Sequence, residues 1–316
     1  MKTVILDAKT LGDDIEFSQF ERFGEVRVYQ TTAPLQLEER ICDAEIIIVN
    51  KIKLNESNLK NAKKLKLICV TATGYDNIDI TYCWHREIAV CNVRGYSSNS
   101  VAQVTAAMAL SLVTHLGEFD RYVKDLRYTE GGVQNHLKPY FNELESMTWG
   151  IIGFGNIGKR VAQIASALGA KTIINSRRPK NISNYVPLNE LCAESDIISV
   201  HVPLTAETRG MIDEKHIAMM KKTAIFINVS RGAVTDENAL TEAICSSKLG
   251  GLGIDVYSTE PMTSDSPYNR ILHKPNVIFT PHMAWGAYEA RRRCMDEIEK
   301  NIDTFIMGGK RNRVDF

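Results

Sequence analysis

Short β-branched runs recur along the chain, separated by longer polar stretches with helical character. In the first ninety residues the runs are "TVIL", "VRVY", "EIIIVN", "LKLICV" and "IAVCNV", with segments such as "NESNLKNAKKL" between them. This alternation is that of βαβ units around a parallel sheet. It restarts at Thr148 with "WGIIG", "KTIIN", "DIISVHV", "AIFINV", "GLGIDV" and "NVIFTP". Open sheets rarely exceed about ten strands, so the pattern predicts two separate sheets.

Between the two series lies "SVAQVTAAMALSLVTHLGEFDRYVKDL", which reads as one helix whose apolar residues surround its first half. A helix without a polar face should be buried on all sides. Because the segment bridges two domains, part of that burial is expected from a second subunit, which makes a homodimer the expected assembly. The chain closes on "AYEARRRCMDEIEKNIDTFIMGG", where Met295, Ile298, Ile302 and Phe305 recur at helical spacing. That tail is expected to return to the first domain.

Composition narrows the partners. Lys+Arg and Asp+Glu both total 38, so no net field draws the chain to nucleic acid or to an acidic membrane. The longest uncharged stretch, from Gly95 to Gly117, is broken by Ser97, Ser98, Asn99, Ser100, Gln103 and Thr105. Spanning a bilayer takes about 20 apolar residues, so no membrane span is expected. The start "MKTVILD" is too short in apolar residues for a signal-peptide core. Seven scattered cysteines form neither a metal-spaced cluster nor a CxxC pair, and the reading is of reduced thiols in the cytoplasm, with small molecules as partners.

The chemistry begins at Gly153, Gly155 and Gly158, a GxGxxG directly after "WGIIG" and directly before the helical "NIGKRVAQIASAL". The first glycine permits a tight turn, the second lets backbone approach a pyrophosphate, and the third allows close helix-to-strand packing at an anion-attracting helix start. The carboxylate that would grip an adenosine ribose at the end of the second strand is missing. Asn175, Ser176, Arg177 and Arg178 stand there instead. A hydroxyl and guanidinium groups suit a 2′-phosphate, so NADP(H) is the expected cofactor, with NAD(H) as the alternative. Three ionisable residues then follow three successive strands: Arg231 after "AIFINVS", Glu260 after "GLGIDVYST" and His282 after "VIFTP", with Asp255 closing "GLGIDV" itself. Each alone reads as a surface charge or a turn residue. Together they supply a cation for a carboxylate, a proton donor and a carboxylate to orient that donor, at the strand ends where α/β folds bind ligands.

Those motifs, "GIIGFGNIGKRVA", "HVPLTAETRGMI", "FINVSRGAVTDENAL", "GIDVYSTEP" and "TPHMAW", resemble the successive signatures of the D-isomer-specific 2-hydroxyacid dehydrogenases over nearly the whole chain. "NKIKL", "VTATGYDNIDI", "GYSSNSVAQVT" and the "AW" after His282 are similar to the hydroxypyruvate reductase (glycerate dehydrogenase) branch. The resemblance implies an α/β fold of two doubly wound parallel-sheet domains. A Rossmann-type coenzyme domain, residues 99–285, would be inserted into a flavodoxin-like substrate-binding domain made of residues 1–98 plus 286–316. It implies catalytic roles for Arg231, Glu260 and His282, a nicotinamide contact for Asp255, and pyrophosphate contacts for Asn156 and Ile157. Lesser cofactor contacts fall on His201, Val202, Pro203, Thr208, Asn228 and Thr105. Lys51, Thr73 and Gly74 match the part that holds the substrate, a small 2-keto or 2-hydroxy acid; no metal is implied.

Two departures from the family pattern are Gln103, where many relatives carry Glu, and Arg94, which replaces a frequent Pro. The implied reaction is reversible reduction of hydroxypyruvate or glyoxylate, with Arg231 on the substrate carboxylate, His282 as acid/base and Glu260 orienting it. Other readings are a cofactor-sensing, corepressor-like binding protein, which shares the fold, and a phosphite or other small-acid dehydrogenase. The intact acid–base set argues for an enzyme. Tyr75, Tyr96, Trp285 and Tyr288 are candidates to line a pocket, although aromatic residues beside loops more commonly serve packing.

Overall fold

The computed structural model describes residues 1–179 and 181–316. They fall into two compact units, Met1–Ser97 with Gly286–Phe316, and Ser98–Trp285.

The first unit holds five parallel strands, β1 (Lys2–Ile5), β2 (Glu25–Val28), β3 (Ile46–Val49), β4 (Leu67–Val70) and β5 (Ala89–Cys91), in the order β2-β1-β3-β4-β5. The inner strands "IIIV" and "LICV" are buried throughout, as strands covered on both faces must be, whereas the edge strand "EVRV" is largely exposed. Helix α1 (Pro34–Ile41) starts on a proline, and α2 (Glu56–Leu59) and α3 (Ile80–His85) are capped by the side chains of Asn55 and Asp79. Leu37, Ile41 and Leu59 join Ile47, Val49, Ile68 and Val70 in one core. The C-terminal helix (Tyr288–Ile306) buries Cys294, Met295, Ile298 and Ile302 and packs on β4. The residues after it continue the sheet edge: Asn92 N–H donates to Asn312 O (3.1 Å), Val314 N–H to Val90 O (2.9 Å) and Val90 N–H to the Asp315 carboxylate (2.9 Å).

The second unit holds β6 (Thr148–Ile152), β7 (Lys171–Asn175), β8 (Ile197–Val200), β9 (Ile225–Asn228), β10 (Gly251–Ile254) and β11 (Val277–Phe279), all parallel, in the order β11-β10-β9-β8-β6-β7. Beyond β7 the residues around Tyr185 form an isolated parallel bridge with Ile174. Both sheets reverse direction beside their first strand, which is the doubly wound arrangement and opens a crevice at the carboxyl ends of the strands. The helices are α4 (Ser98–Val113), α5 (Leu116–Lys124), α6 (Arg127–Gly131), α7 (Asn156–Ala167), α8 (Leu188–Glu194), α9 (Glu214–Met219) and α10 (Glu237–Cys245).

The long helix expected between the two strand series is two helices. Helix α4 ends at Val113, His115 takes a left-handed backbone (φ 52°), and α5 leaves at 61°. Thr114 donates its hydroxyl back to Leu110 O (2.7 Å), a local bond that competes with helix continuation. The apolar pattern crosses the break unmarked, so periodicity alone missed it. Burial of α4 is also incomplete within the chain. Val101, Ala102, Ala106, Met108, Ala109, Leu112 and Val113 are buried, but Gln103, Ala107 and Leu110 form an exposed stripe, and α5 buries no residue. Among the described residues no single helix is long and apolar enough to cross a membrane.

Candidate active site

The glycine-rich turn occupies the point where the second sheet reverses, between β6 and β8. Gly153 has φ 96°, and a Cβ there would meet His201 C and O at 2.8 Å. A Cβ on Gly158 would lie 2.0 Å from Gly153 O, so the first turn of α7 sits directly on the turn that precedes it. Gly155 differs, since no atom lies within 4 Å of its missing Cβ. The protein itself therefore does not require glycine at that N-cap; the open approach to the start of the twelve-residue α7 fits a pyrophosphate. Asn156 and Ile157 form the first turn of that helix.

Opposite this turn, Ser199 accepts from Trp149 Nε1 (3.0 Å) and bonds His201 Nε2 (3.0 Å), while His201 Nδ1 is buried with no partner among the described residues. Burial pushes the imidazole down to about 3, so His201 is neutral. Val202 and Pro203 follow it, and Thr208 ties the segment into a turn through Pro203 O (2.6 Å). At the end of β7, Ser176 Oγ accepts from Arg178 N–H (3.4 Å) and Arg177 pairs with Glu207 (3.1 Å). Both partners of that pair are about 70% exposed, and an exposed pair contributes only about 0–1 kcal/mol, so it leaves the guanidinium available to an anion. Thr105 is fully buried in α4, its hydroxyl donating to Val101 O (2.8 Å). Asn228 is buried as well, and its amide shapes the next loop, donating to Arg231 O (2.9 Å) and accepting from Ser230 N–H (3.0 Å).

The strand-end residues sit on the same edge, because β9, β10 and β11 are adjacent and parallel. Glu260 and His282 meet directly: His282 Nδ1 lies 2.6 Å from Glu260 Oε2, and Glu260 Oε1 accepts from Tyr257 N–H (3.1 Å). With Nδ1–H donating to the carboxylate, Nε2 becomes the ring atom that exchanges a proton. Arg231 caps a short turn, its Nη1 donating to Ser230 O (2.9 Å). The adjoining Gly232 explains how close the loops come. A Cβ there would lie 2.1 Å from Tyr257 C and 2.3 Å from Ser258 N, so the Arg231 loop is packed against the loop that carries Glu260.

His282 itself has φ 52°, a left-handed backbone that costs a non-glycine residue on the order of 1–2 kcal/mol. Asp255 holds it there. This buried carboxylate accepts from Thr280 Oγ1 (2.6 Å), Met283 N–H (2.8 Å) and Ala284 N–H (3.0 Å), gripping the loop on both sides of His282. Burial pushes the Asp255 carboxyl up, while the Thr280 hydroxyl, the two amides and the charge of His282 pull it back. Tyr257 adds a further tie, its hydroxyl donating to Thr280 O (3.0 Å). Gly232, Tyr257 and Thr280 were missed in the sequence. Only Gly232, next to Arg231, left a readable signal.

In the first unit, Lys51 is exposed just after β3, and Thr73 and Gly74 follow β4. Thr73 donates to Val93 O (2.8 Å), and the buried Asn92 donates to Thr73 O (2.7 Å), which fixes that segment. Of the aromatic candidates, Tyr96 is buried at 6% exposure, whereas Tyr75 and Tyr288 are exposed.

A doubly wound unit with a glycine turn at its reversal point and an imidazole–carboxylate pair on the same edge defines a dinucleotide-dependent α/β enzyme. Residues 106–284 match the model of the D-isomer specific 2-hydroxyacid dehydrogenase NAD-binding domain. The chain is 34% identical to hydroxypyruvate reductase of Blautia hydrogenotrophica over 99% of both chains. It is 38% identical to glyoxylate reductase of Thermococcus litoralis over 91% of this chain and 89% of that one. D-lactate dehydrogenase from Aquifex aeolicus, solved with NAD and lactic acid, superposes with a TM-score of 0.86 at 33% identity, covering 100% of this chain and 99% of that chain. The chain belongs to the D-isomer specific 2-hydroxyacid dehydrogenase family. It is thus an oxidoreductase acting on a CH–OH group with a nicotinamide cofactor.

The packing at Gly232 yields a direct test. Gly232→Ala should force the Arg231 and Glu260 loops apart and lower kcat/KM about 100-fold while the folded protein still binds dinucleotide. Wild-type turnover in that variant would mean the two loops need not touch.

Proposed function

We propose that the protein is an NADPH-dependent 2-keto acid reductase acting on hydroxypyruvate or glyoxylate, the substrates named in its similar relatives. The observation that carries the reading is the 2.6 Å pair of His282 with Glu260, beside a loop that presents Arg231. When bound, the reduced nicotinamide supplies the hydride. Gly153, Gly155, Asn156, Ile157 and Gly158 hold its pyrophosphate, with His201, Val202, Pro203 and Thr208 forming the facing wall. Ser176, Arg177 and Arg178 meet the 2′-phosphate of NADP(H), which a carboxylate at that point would repel.

Arg231 binds the substrate carboxylate and polarises the neighbouring carbonyl, lowering the cost of negative charge growing on its oxygen. His282 Nε2 delivers a proton to that oxygen. Glu260 holds the imidazole in the required tautomer and fixes the orientation of the ring. Asp255 keeps the His282 loop in place, with one lone-pair direction on Oδ2 left for the nicotinamide amide. Lys51, Thr73 and Gly74 are assigned to substrate binding on their match to the family motif.

We place the protein in the cytoplasm on its seven unpaired cysteines, and we propose a homodimer that covers the α4 stripe and the segment that follows it. Leu110, Leu116, Val123, Leu126, Tyr128, Val133, Leu137, Tyr140 and Phe141 are exposed within 32 consecutive residues, an apolar density that marks an association surface.

Three measurements test these assignments. His282→Ala and Arg231→Ala should each lower kcat by about 10²–10⁴-fold with NADPH binding kept, and Glu260→Gln, which loses the carboxylate that orients the ring, should lower kcat too. Near-wild-type rates in either alanine variant exclude the mechanism. Steady-state kinetics with both cofactors should give kcat/KM at least about tenfold higher for NADPH than NADH; the reverse order refutes the cofactor assignment. Sedimentation equilibrium should report a dimer for the wild type and a monomer for Leu110→Glu, and a monomeric wild type sinks the proposed assembly.

A further inference from the structure

The loop after β3 is held more tightly than a surface turn requires. Asp7, two residues past the end of β1 and only 4% exposed, aims its carboxylate at this loop. Its oxygens accept from Asn50 N–H (2.9 and 3.2 Å) and Lys51 N–H (2.7 Å), and the nearby amide of Ile52 also favours the charged carboxylate. From the other side Asn77 Nδ2 donates to Asn50 O (3.3 Å) and Ile52 O (2.9 Å). The Asn50 side chain is fixed too, donating to Thr10 Oγ1 (2.9 Å), which in turn donates to Asp7 O (2.7 Å). The Asn50–Ile52 segment is thus clamped between a buried carboxylate and an amide.

A carboxylate is an expensive way to hold a turn. Burial pushes the Asp7 carboxyl up, and the amides of Lys51, Asn50 and Ile52 together with the charge of Lys51 only partly offset this. The group it fixes most closely is the backbone of Lys51, whose side chain lies on the exposed surface at the carboxyl end of the sheet. The clamp therefore sets the starting point of a long cationic side chain, so less backbone freedom remains to be lost when an anion binds.

We propose that Asp7, together with Asn77, is a positioning residue for substrate binding, holding the Asn50–Ile52 peptides so that Lys51 presents its ammonium to the carboxylate of the 2-keto acid. This rests on the reading of the protein as a 2-keto acid reductase. Asp7→Asn replaces one acceptor by a donor facing backbone N–H groups. With hydroxypyruvate and glyoxylate as probes, it should raise KM for the keto acid about tenfold, with kcat and the Kd of NADPH changed less than about twofold. In a Lys51→Ala background the same substitution should change KM less than about twofold, because the side chain it positions is gone. Should Asp7→Asn fail to fold, Asn77→Ala removes the other half of the clamp. That variant should raise KM about threefold, with the same loss of effect in Lys51→Ala.

An unchanged KM in Asp7→Asn, or a full tenfold effect that persists without Lys51, overturns the role while leaving the reductase reading intact. Wild-type protein that reduces no 2-keto acid overturns the reductase reading, and this role with it.

Discussion

The carboxylate of Asp255 lies at the end of β10, out of water, and collects a hydroxyl and two backbone amides from the loop that follows β11. Much of the site's geometry depends on this interaction. The loop must turn sharply enough to put His282 in a left-handed conformation, and such a residue persists only where its surroundings over-determine it. Bonds to Thr280 on one side and to Met283 and Ala284 on the other meet that condition. The imidazole is then delivered to Glu260 by a strand end and a buried charge, without reliance on a flexible loop.

The parallel sheet makes such an arrangement economical. Every strand of the second unit ends on the same edge, so segments distant in sequence can share one surface if their loops come close enough. Closeness is governed by missing side chains. The backbone at Gly232 touches the loop carrying Glu260, and Gly153 abuts the backbone of His201. These contacts leave no room for a methyl group, and they fix the separation of the loops as firmly as hydrogen bonds do.

Unit one applies the same device independently. Asp7 stands just past β1 as Asp255 stands just past β10, and each accepts amides from the loop after a neighbouring strand. In both cases burial raises the carboxyl, so the fold bears a desolvation cost to keep an acceptor-only group facing N–H donors. A neutral amide would offer one oxygen and an unwanted donor. Only a carboxylate can satisfy several converging amides at once.

The sequence by itself determined the number of strands, their division into two parallel sheets, the glycine turn before α7, and the residue types at the strand ends. Those features are local: apolar runs, glycine spacing and the chemistry of single side chains survive as pattern in the chain. Tertiary structure decided the rest. The break at His115 is invisible to periodicity because α4 and α5 together keep an apolar pattern across it. The residues that anchor the site, Thr280, Tyr257, Asn92 and Asp7, bond to partners 19 to 44 positions away in the chain. A hydrogen bond between such distant segments leaves no periodic trace. It exists only once parallel strands have brought their ends to one edge, which is why the chemistry could be read from the sequence and its support could not.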